Sequence, residues 1–403
     1  MAAIASLVDV QVRKPFIRLW VAHLVSIFGD LLSLFGVLSL ITFRLHGTAT
    51  QATGVILAYS LPLAIFAPFA GVLIDHWNVK QVMIGSDLIR AVLVLFLVVV
   101  TDVRQICLIF AILAVVSSLF SSAQSVALTI LVPKDGLLAA NARMSQALYT
   151  VRLLSPALAG LLVAWLTEKA CFYLDSLSFL FSGAMLSTLA IVRNTGSREK
   201  TLRALAFDLF EGNKFIFIHR ELTFVFTAMA MAVFVLSSFS PLISIYIRDV
   251  LSAGSVTFGI VSSMFGVGLL LGTLHITRMA RNTRKTGAVL QGLVTVGLGA
   301  AFIGIFSNIP VLAAGYLTMG FAIARVLVAS QTLWQEETPP EMRGRVGSSF
   351  ISLSGFAQVL GLLLSGYLAQ RLGIRRLFVW SAIVLTVVAV GAYFFTSEEA
   401  RTS

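Results

Sequence analysis

Charge is what this sequence has least of. Only 12% of the 403 residues are Asp, Glu, Lys or Arg, while 58% are apolar. An average soluble domain carries roughly 25% charged residues, so a soluble globule of this length could not cover its surface. Acid is scarcer than base, with 18 Asp and Glu against 29 Lys and Arg and a net charge of +11. Disorder is excluded as a main theme because it needs low hydrophobicity. Nucleic-acid binding is excluded because it needs a basic face on a folded domain. The two cysteines, Cys107 and Cys171, imply no disulfide framework; they read as inert apolar residues. No Gly-x-x-x-x-Gly-Lys-Ser/Thr loop is present, so nucleotide hydrolysis is not the drive. The five histidines have no metal-ligand spacing, and no Ser-His-Asp set is identifiable. The expectation is no enzyme: no catalytic residue, cofactor or metal. Met1 to Pro15 has no apolar core before a small-residue cleavage site, so it does not read as a signal peptide.

What is present is long apolar runs, and a helix needs about 20 such residues to span a bilayer. Twelve runs are delimited at 17–43, 51–74, 81–100, 105–131, 143–166, 170–192, 223–247, 256–277, 286–307, 309–335, 347–370 and 376–396. The fold class is therefore all-α integral membrane, with twelve transmembrane helices. With the amino terminus inside, about 19 Lys and Arg fall on the inner side and about 7 outside. That bias places both termini in the cytoplasm. Arg371, Arg375 and Arg376, in the last outer loop, go against the rule.

The long loop from Arg193 to Leu222 splits the chain into six plus six spans. The expected organisation is a six-helix bundle over 1–192, a linker over 193–222, and a second bundle over 223–403. The linker mixes Phe207, Leu209, Phe210, Lys214, Phe215, Phe217 and Ile218, which reads as an amphipathic helix on the inner membrane face. Shifting the sequence by 206 positions superposes Pro133 on Pro339, Ser155 on Gly361 and Gly160 on Gly366. Two parallel, pseudo-symmetric halves related by an axis along the membrane normal are a transporter architecture, with substrate expected near the midplane.

Charge inside the membrane costs roughly 2.5–3.5 kcal/mol on insertion scales and points to function by default. Six such residues stand out: Asp30, Asp87, Arg90, Arg152, Asp175 and Arg325. Asp30 lies roughly 20 Å deep and Arg152 roughly 14 Å, both from the inner side, so they can pair. Asp175 lies only about 8 Å from the outer end of its span, which makes Lys169 its expected partner. Asp87 and Arg90 are three residues apart and face each other on one helix; their expected place is a gate near the cytoplasmic end. Arg325 has no acidic residue in any span of its half, so it needs water, a carbonyl or an anion. Asp30 is the candidate proton site, because opening and closing a cavity changes both the desolvation and the nearby cation that govern a carboxylate's proton. Engagement with Arg152 or substrate then competes with protonation. Ser155, Pro156 and Gly160 in the fifth span, and Gly266, Gly268 and Gly272 in the eighth, are small-residue packing seams.

Between the second and third spans runs Gly71-Val72-Leu73-Ile74-Asp75-His76-Trp77-Asn78-Val79-Lys80. Gly71 allows close helix approach, Asp75 sits on the same helical face, and Lys80 adds inner charge. This resembles the loop signature of the major facilitator superfamily, Gly-x-x-x-Asp-Arg-x-Gly-Arg-Arg, with His76, Asn78 and Val79 as departures. The resemblance implies a latch that holds the cytoplasmic side closed, formed by Gly71, Asp75 and Lys80 with Asp87 and Arg90 beside it. Ser26 to Asp30, Gly85 to Arg90, Leu131 to Pro133, Arg152 to Gly160, Asp175 to Phe179 and Pro339 to Val346 resemble the branch containing macrolide-efflux and enterobactin exporters. That branch implies a cavity lined by the first helix of each three-helix unit. Asp30 and Arg325 would then face each other across it, with Phe28, Phe120 and Phe234 as aromatic lining. The implied function is proton-coupled export of a small amphipathic molecule, drug or siderophore, by alternating access. The expected setting is a monomer in a bacterial inner membrane, meeting substrate, protons and lipid but no nucleic acid. A lipid or lysolipid flippase of the same fold and a non-transporting membrane sensor are the rival readings.

Overall fold

The computed structural model describes residues 10–133, 136–191, 202–279, 285–339 and 342–397. Every regular element there is helical. The first group comprises α1 Val10–Ser39, α2 Ala49–His76, α3 Val79–Phe96, α4 Val103–Leu131, α5 Leu137–Trp165 and α6 Glu168–Ser187. After α7, Leu202–Ile218, come α8 Arg220–Asp249, α9 Ser255–Met279, α10 Lys285–Ile305, α11 Ile309–Glu337, α12 Arg343–Leu372 and α13 Ile374–Ser397. In hydrocarbon every backbone group must be bonded within its own segment, and a helix does that. Polar residues set the ends. Asn78, Asp102 and Asn308 each accept a hydrogen bond from a backbone N–H in the first turn of α3, α4 and α11.

Nine of the described helices are long and apolar enough to cross a bilayer. The other long ones are α3, α5 and α13, and α3 carries Lys80, Asp87 and Arg90 within its 18 residues. The helices α1–α6 and α8–α13 occupy the twelve expected spans. The chain divides into two compact units, residues 1–45 with 58–201, and residues 46–57 with 202–403. The first turns of α2, within His46–Leu57, group with the second unit. There Thr50 donates a hydrogen bond to the Gly366 carbonyl, and a side chain at Gly366 would collide with Thr53.

The 206-residue repeat is written in the backbone. Helices α2 to α6 open at Ala49, Val79, Val103, Leu137 and Glu168; α9 to α13 open at Ser255, Lys285, Ile309, Arg343 and Ile374, each 206 positions later. Packing repeats as well. α1 meets α5 and α6 while α3 meets α4 and α6; in the second unit α8 meets α12 and α13 while α10 meets α11 and α13. The left-handed residues recur in register. His46 (φ 49°) is matched by Ser252 (φ 50°), and Thr167 (φ 99°) by Gly373 (φ 85°).

Two of the three arginines that go against the charge bias, Arg371 and Arg375, are engaged at helix ends. Arg375 donates to the Gly304 and Ile305 carbonyls at 3.0 and 2.7 Å, closing the carboxyl-terminal end of α10, where a cation is favoured by the helix dipole. The guanidinium of Arg371 lies 5.4 Å from the Tyr367 ring centre. Arg44 pairs with Glu168. The linker segment is helical from Leu202. Glu211 of α7 is ion-paired with Arg345 of α12, and Gly212 presses on the Arg345 carbonyl. Phe210, Phe217 and Ile218 are left exposed; residues 192–201 lie outside those described.

A β-branched residue at φ 99° is strained by roughly 1–3 kcal/mol, and the second repeat solves the same link with glycine. Thr167→Gly is expected to raise the midpoint of thermal unfolding in detergent, by about 1 kcal/mol of stability. Gly373→Ala should lower it. Unchanged melting in both would mean that the two links carry no strain.

Candidate functional site

The first unit holds a polar cluster inside an apolar bundle. One face of α1 presents His23, Ser26, Asp30 and Ser33 at helical spacing. Two glycines on that helix bring α6 close. A side chain at Gly29 would collide with Ser178 and Asp175, and one at Gly36 would lie 3.0 Å from the Cys171 side chain. This close approach carries Asp175 inward against α1, where it stands near Ser33 and near enough to Asp30 for the two carboxylates to repel. The Ser178 hydroxyl donates to the Asp175 backbone carbonyl at 2.7 Å and reaches its carboxylate at 3.4 Å.

Arg90 of α3 is the centre of the cluster. Its NH2 group is ion-paired with Asp87 one turn away, and its NH1 group lies 4.0 Å from Asp30. Phe120 of α4 and Phe179 of α6 place their rings 4.2 and 4.3 Å from the guanidinium carbon, a cation–π arrangement for a desolvated cation. Asp87 is 0% and Arg90 3% exposed, whereas the Asp30 side chain is 36% exposed. Asp30 is thus the accessible member. The Asp87 Oδ2, Arg90 Nε, Ser33 Oγ and Ser182 Oγ atoms are buried without a hydrogen-bond partner. His23 and Gln124 of α4 meet at 2.8 Å. Tyr59 stands close to Asp30 and to Ser117, edge-on to Phe110 at 6.0 Å. Beneath the polar layer, Leu19, Ala22, Ile74, Met83, Ala123, Ala127 and Leu186 form a continuous apolar plug.

The geometry gives places to several of the expected residues. Asp30 finds Arg90 of α3 as its cation. The Arg152 side chain lies outside those described, as do those of Asp75, Pro156 and Gly160. Asp87 and Arg90 lie further from the start of α3 than the sequence places them. The Asn78 cap starts α3 at Val79, which puts them about 12 and 16 Å along the helix, in the buried layer. Asp175 does not turn outward to Lys169; the glycine seam draws it to α1. Gly71 does not serve close approach in the described structure, since no described atom lies within 4 Å of where its Cβ would be. Lys80 sits in the first turn of α3.

The remaining candidates fall elsewhere. Phe120 is part of the Arg90 platform. Phe28 packs with Leu32, Ala159 and Cys171 in the seam of α1, α5 and α6. Phe234 on α8 offers its carbonyl to the place where Gly361 of α12 presses in. Ser155 is buried with its hydroxyl unpartnered. Gly268 and Gly272 of α9 let α11 approach, and side chains there would meet the Leu317 and Phe321 carbonyls; Gly266 is buried on the same helix. Arg325 of α11 donates to Gln291 Oε1 of α10 at 2.9 Å. Among the described residues no group of three or more His, Cys, Asp or Glu is placed to hold a metal.

Two bundles of long apolar helices, one with a charged layer inside, define a multi-pass membrane transporter rather than an enzyme. The sequence profile of the Major Facilitator Superfamily matches over residues 19–346 and 222–403, and the chain belongs to that family. It is 27% identical to the MFS-type transporter YfiS of Bacillus subtilis, with 94% of this chain and 92% of that protein covered. It is 24% identical to macrolide efflux protein A of Streptococcus pyogenes, with 94% and 95% covered. Among solved structures, the nucleoside transporter NupG shares the fold at a TM-score of 0.76 and 14% identity, over 95% of this chain and 100% of that one. The relatives place the chain with the drug-exporter branch.

Removing one partner of a buried pair costs about 3–5 kcal/mol because the other charge is left alone. Arg90→Met is therefore expected to lower thermal stability strongly, and Asp87→Asn added to it should recover part of the loss. If the two changes simply add in a double-mutant cycle, Arg90 is not held by Asp87.

Proposed function

We propose that this protein exports a small amphipathic molecule, of the macrolide class, in exchange for protons entering the cell. The observation that carries the reading is the charge imbalance of the buried layer: three carboxylates, Asp30, Asp87 and Asp175, around one guanidinium, Arg90. Sealing such a set from water leaves two negative charges without a counter-charge, which is costly in a low dielectric. A proton is the smallest cation that can neutralise a carboxylate, and the sealed set needs two, one held by Asp175 in the buried layer and one exchanged at Asp30. Asp30, the accessible member, takes the proton from the side on which the layer is open. Arg90 then leans fully on Asp87. When Asp30 releases the proton it competes again for Arg90, and that competition ties proton movement to the arrangement of α1 against α3.

The setting that goes with this reading is a bacterial inner membrane with both termini in the cytoplasm. The helix-end role of Arg375 supports that orientation, because its charge is spent on α10 rather than on topology.

The test uses inverted membrane vesicles and a macrolide. Asp30→Asn is expected to bind the macrolide and let it move down its own gradient, while losing uptake driven by an imposed pH gradient. Full proton-driven transport by Asp30→Asn would overturn the proposal.

A further inference from the structure

The second unit leaves one membrane arginine unexplained by the proton-coupled layer. Arg325 is half-buried on α11, and its one hydrogen bond is to the amide oxygen of Gln291. Its Nε is buried without a partner. The guanidinium lies 5.9 Å from the Phe321 ring centre, and the His275 imidazole of α9 lies 5.3 Å from the same ring. His275 and Gln291 are exposed. No Asp or Glu occurs on α9 or α10, and those of α11 are confined to Glu336 and Glu337 at its end. The site therefore offers an arginine, an imidazole and an amide, with nothing acidic to satisfy them.

Depth narrows the ligand. His275 is four residues from the Met279 end of α9, about 6 Å, and Gln291 six residues from the Lys285 end of α10, about 9 Å. The Arg325 side chain reaches to the level of Gln291. The sequence around those two ends carries Arg278, Arg281, Arg284 and Lys285. With the expected orientation, this level is the headgroup edge of the cytoplasmic leaflet, where basic pockets between helices hold anionic headgroups.

We propose that Arg325, His275 and Gln291 bind the phosphate of an anionic phospholipid in the cytoplasmic leaflet. Phe321 serves as a platform for the guanidinium and the glycerol end of the lipid. The ligand chemistry is a phosphate diester oxyanion, and a soluble phosphate ester is the other source of the same group.

The test places the full-length protein in nanodiscs of phosphatidylcholine doped with phosphatidylglycerol. Lipid retained after detergent exchange is counted by mass spectrometry. The wild type is expected to retain phosphatidylglycerol in preference to phosphatidylcholine. Arg325→Gln should reduce that preference about 5-fold, the worth of one cation at the surface. Arg325→Lys should keep most of it, and His275→Gln gives a second, milder variant if Arg325→Gln does not fold. Retention by Arg325→Gln equal to wild type would overturn the site. Glycerol 1-phosphate at millimolar concentration is not expected to displace the lipid; displacement would assign the site to a soluble anion and overturn the lipid reading. Labelling of Asn282→Cys from outside intact cells would overturn the leaflet assignment, separately from the retention result.

Discussion

One guanidinium among three carboxylates is the constraint on which the first unit is built. Backbone polarity is satisfied by helix formation alone, so the remaining cost in the bilayer is side-chain charge. Each charged residue costs roughly 2.5–3.5 kcal/mol on insertion scales, and four lie in one layer here. α3 carries two of them and is not among the helices apolar enough to cross a membrane alone. It stays in place because Arg90 has Asp87 on its own helix, Asp30 on α1 and two aromatic faces from α4 and α6. The same requirement explains the glycines of α1. Without Gly29, α6 could not come close enough for Asp175 to join the layer.

The duplicated backbone makes the asymmetry between the units legible. Helix starts, packing partners and left-handed links recur at 206 residues. The charges do not. The positions matching Asp30, Asp87, Arg90 and Asp175 are Leu236, Leu293, Val296 and Ser381, and Leu293 and Val296 are fully buried. One ancestral geometry therefore accommodates either a charged layer or an apolar one. The electrostatic work is concentrated in the first unit. The second meets its only mid-helix cation, among the described residues, with an amide and an aromatic ring.

The twelve helices could be read from the sequence because an apolar run bounded by polar caps has few other outcomes in a membrane. The charged layer was only partly readable. Asp30, Asp87, Arg90 and Asp175 stood out as charges in the wrong solvent, but depth counted along separate helices does not say which faces meet. Arg90 therefore emerges as a neighbour of Asp30 only once α1 and α3 are placed together. The missing signal was the spacing of Gly29 and Gly36, seven residues apart on one face, which marks where α6 lies. The position of Arg90 was misjudged for a smaller reason. The Asn78 cap was read as a departure from a motif, not as the start of α3, and two residues of helix are about 3 Å of depth.

Distances within the layer separate the interaction that can change from the one that cannot. Asp87 is in direct contact with Arg90 and shielded completely, so its loss would strand a buried cation. Asp30 lies at 4.0 Å, beyond hydrogen-bonding range, and its side chain is open to its surroundings. On one side of the layer, Leu19 to Leu186 form a continuous apolar cluster. The layer thus combines a fixed ion pair, a looser third charge and an apolar floor. All three lie within a single bundle.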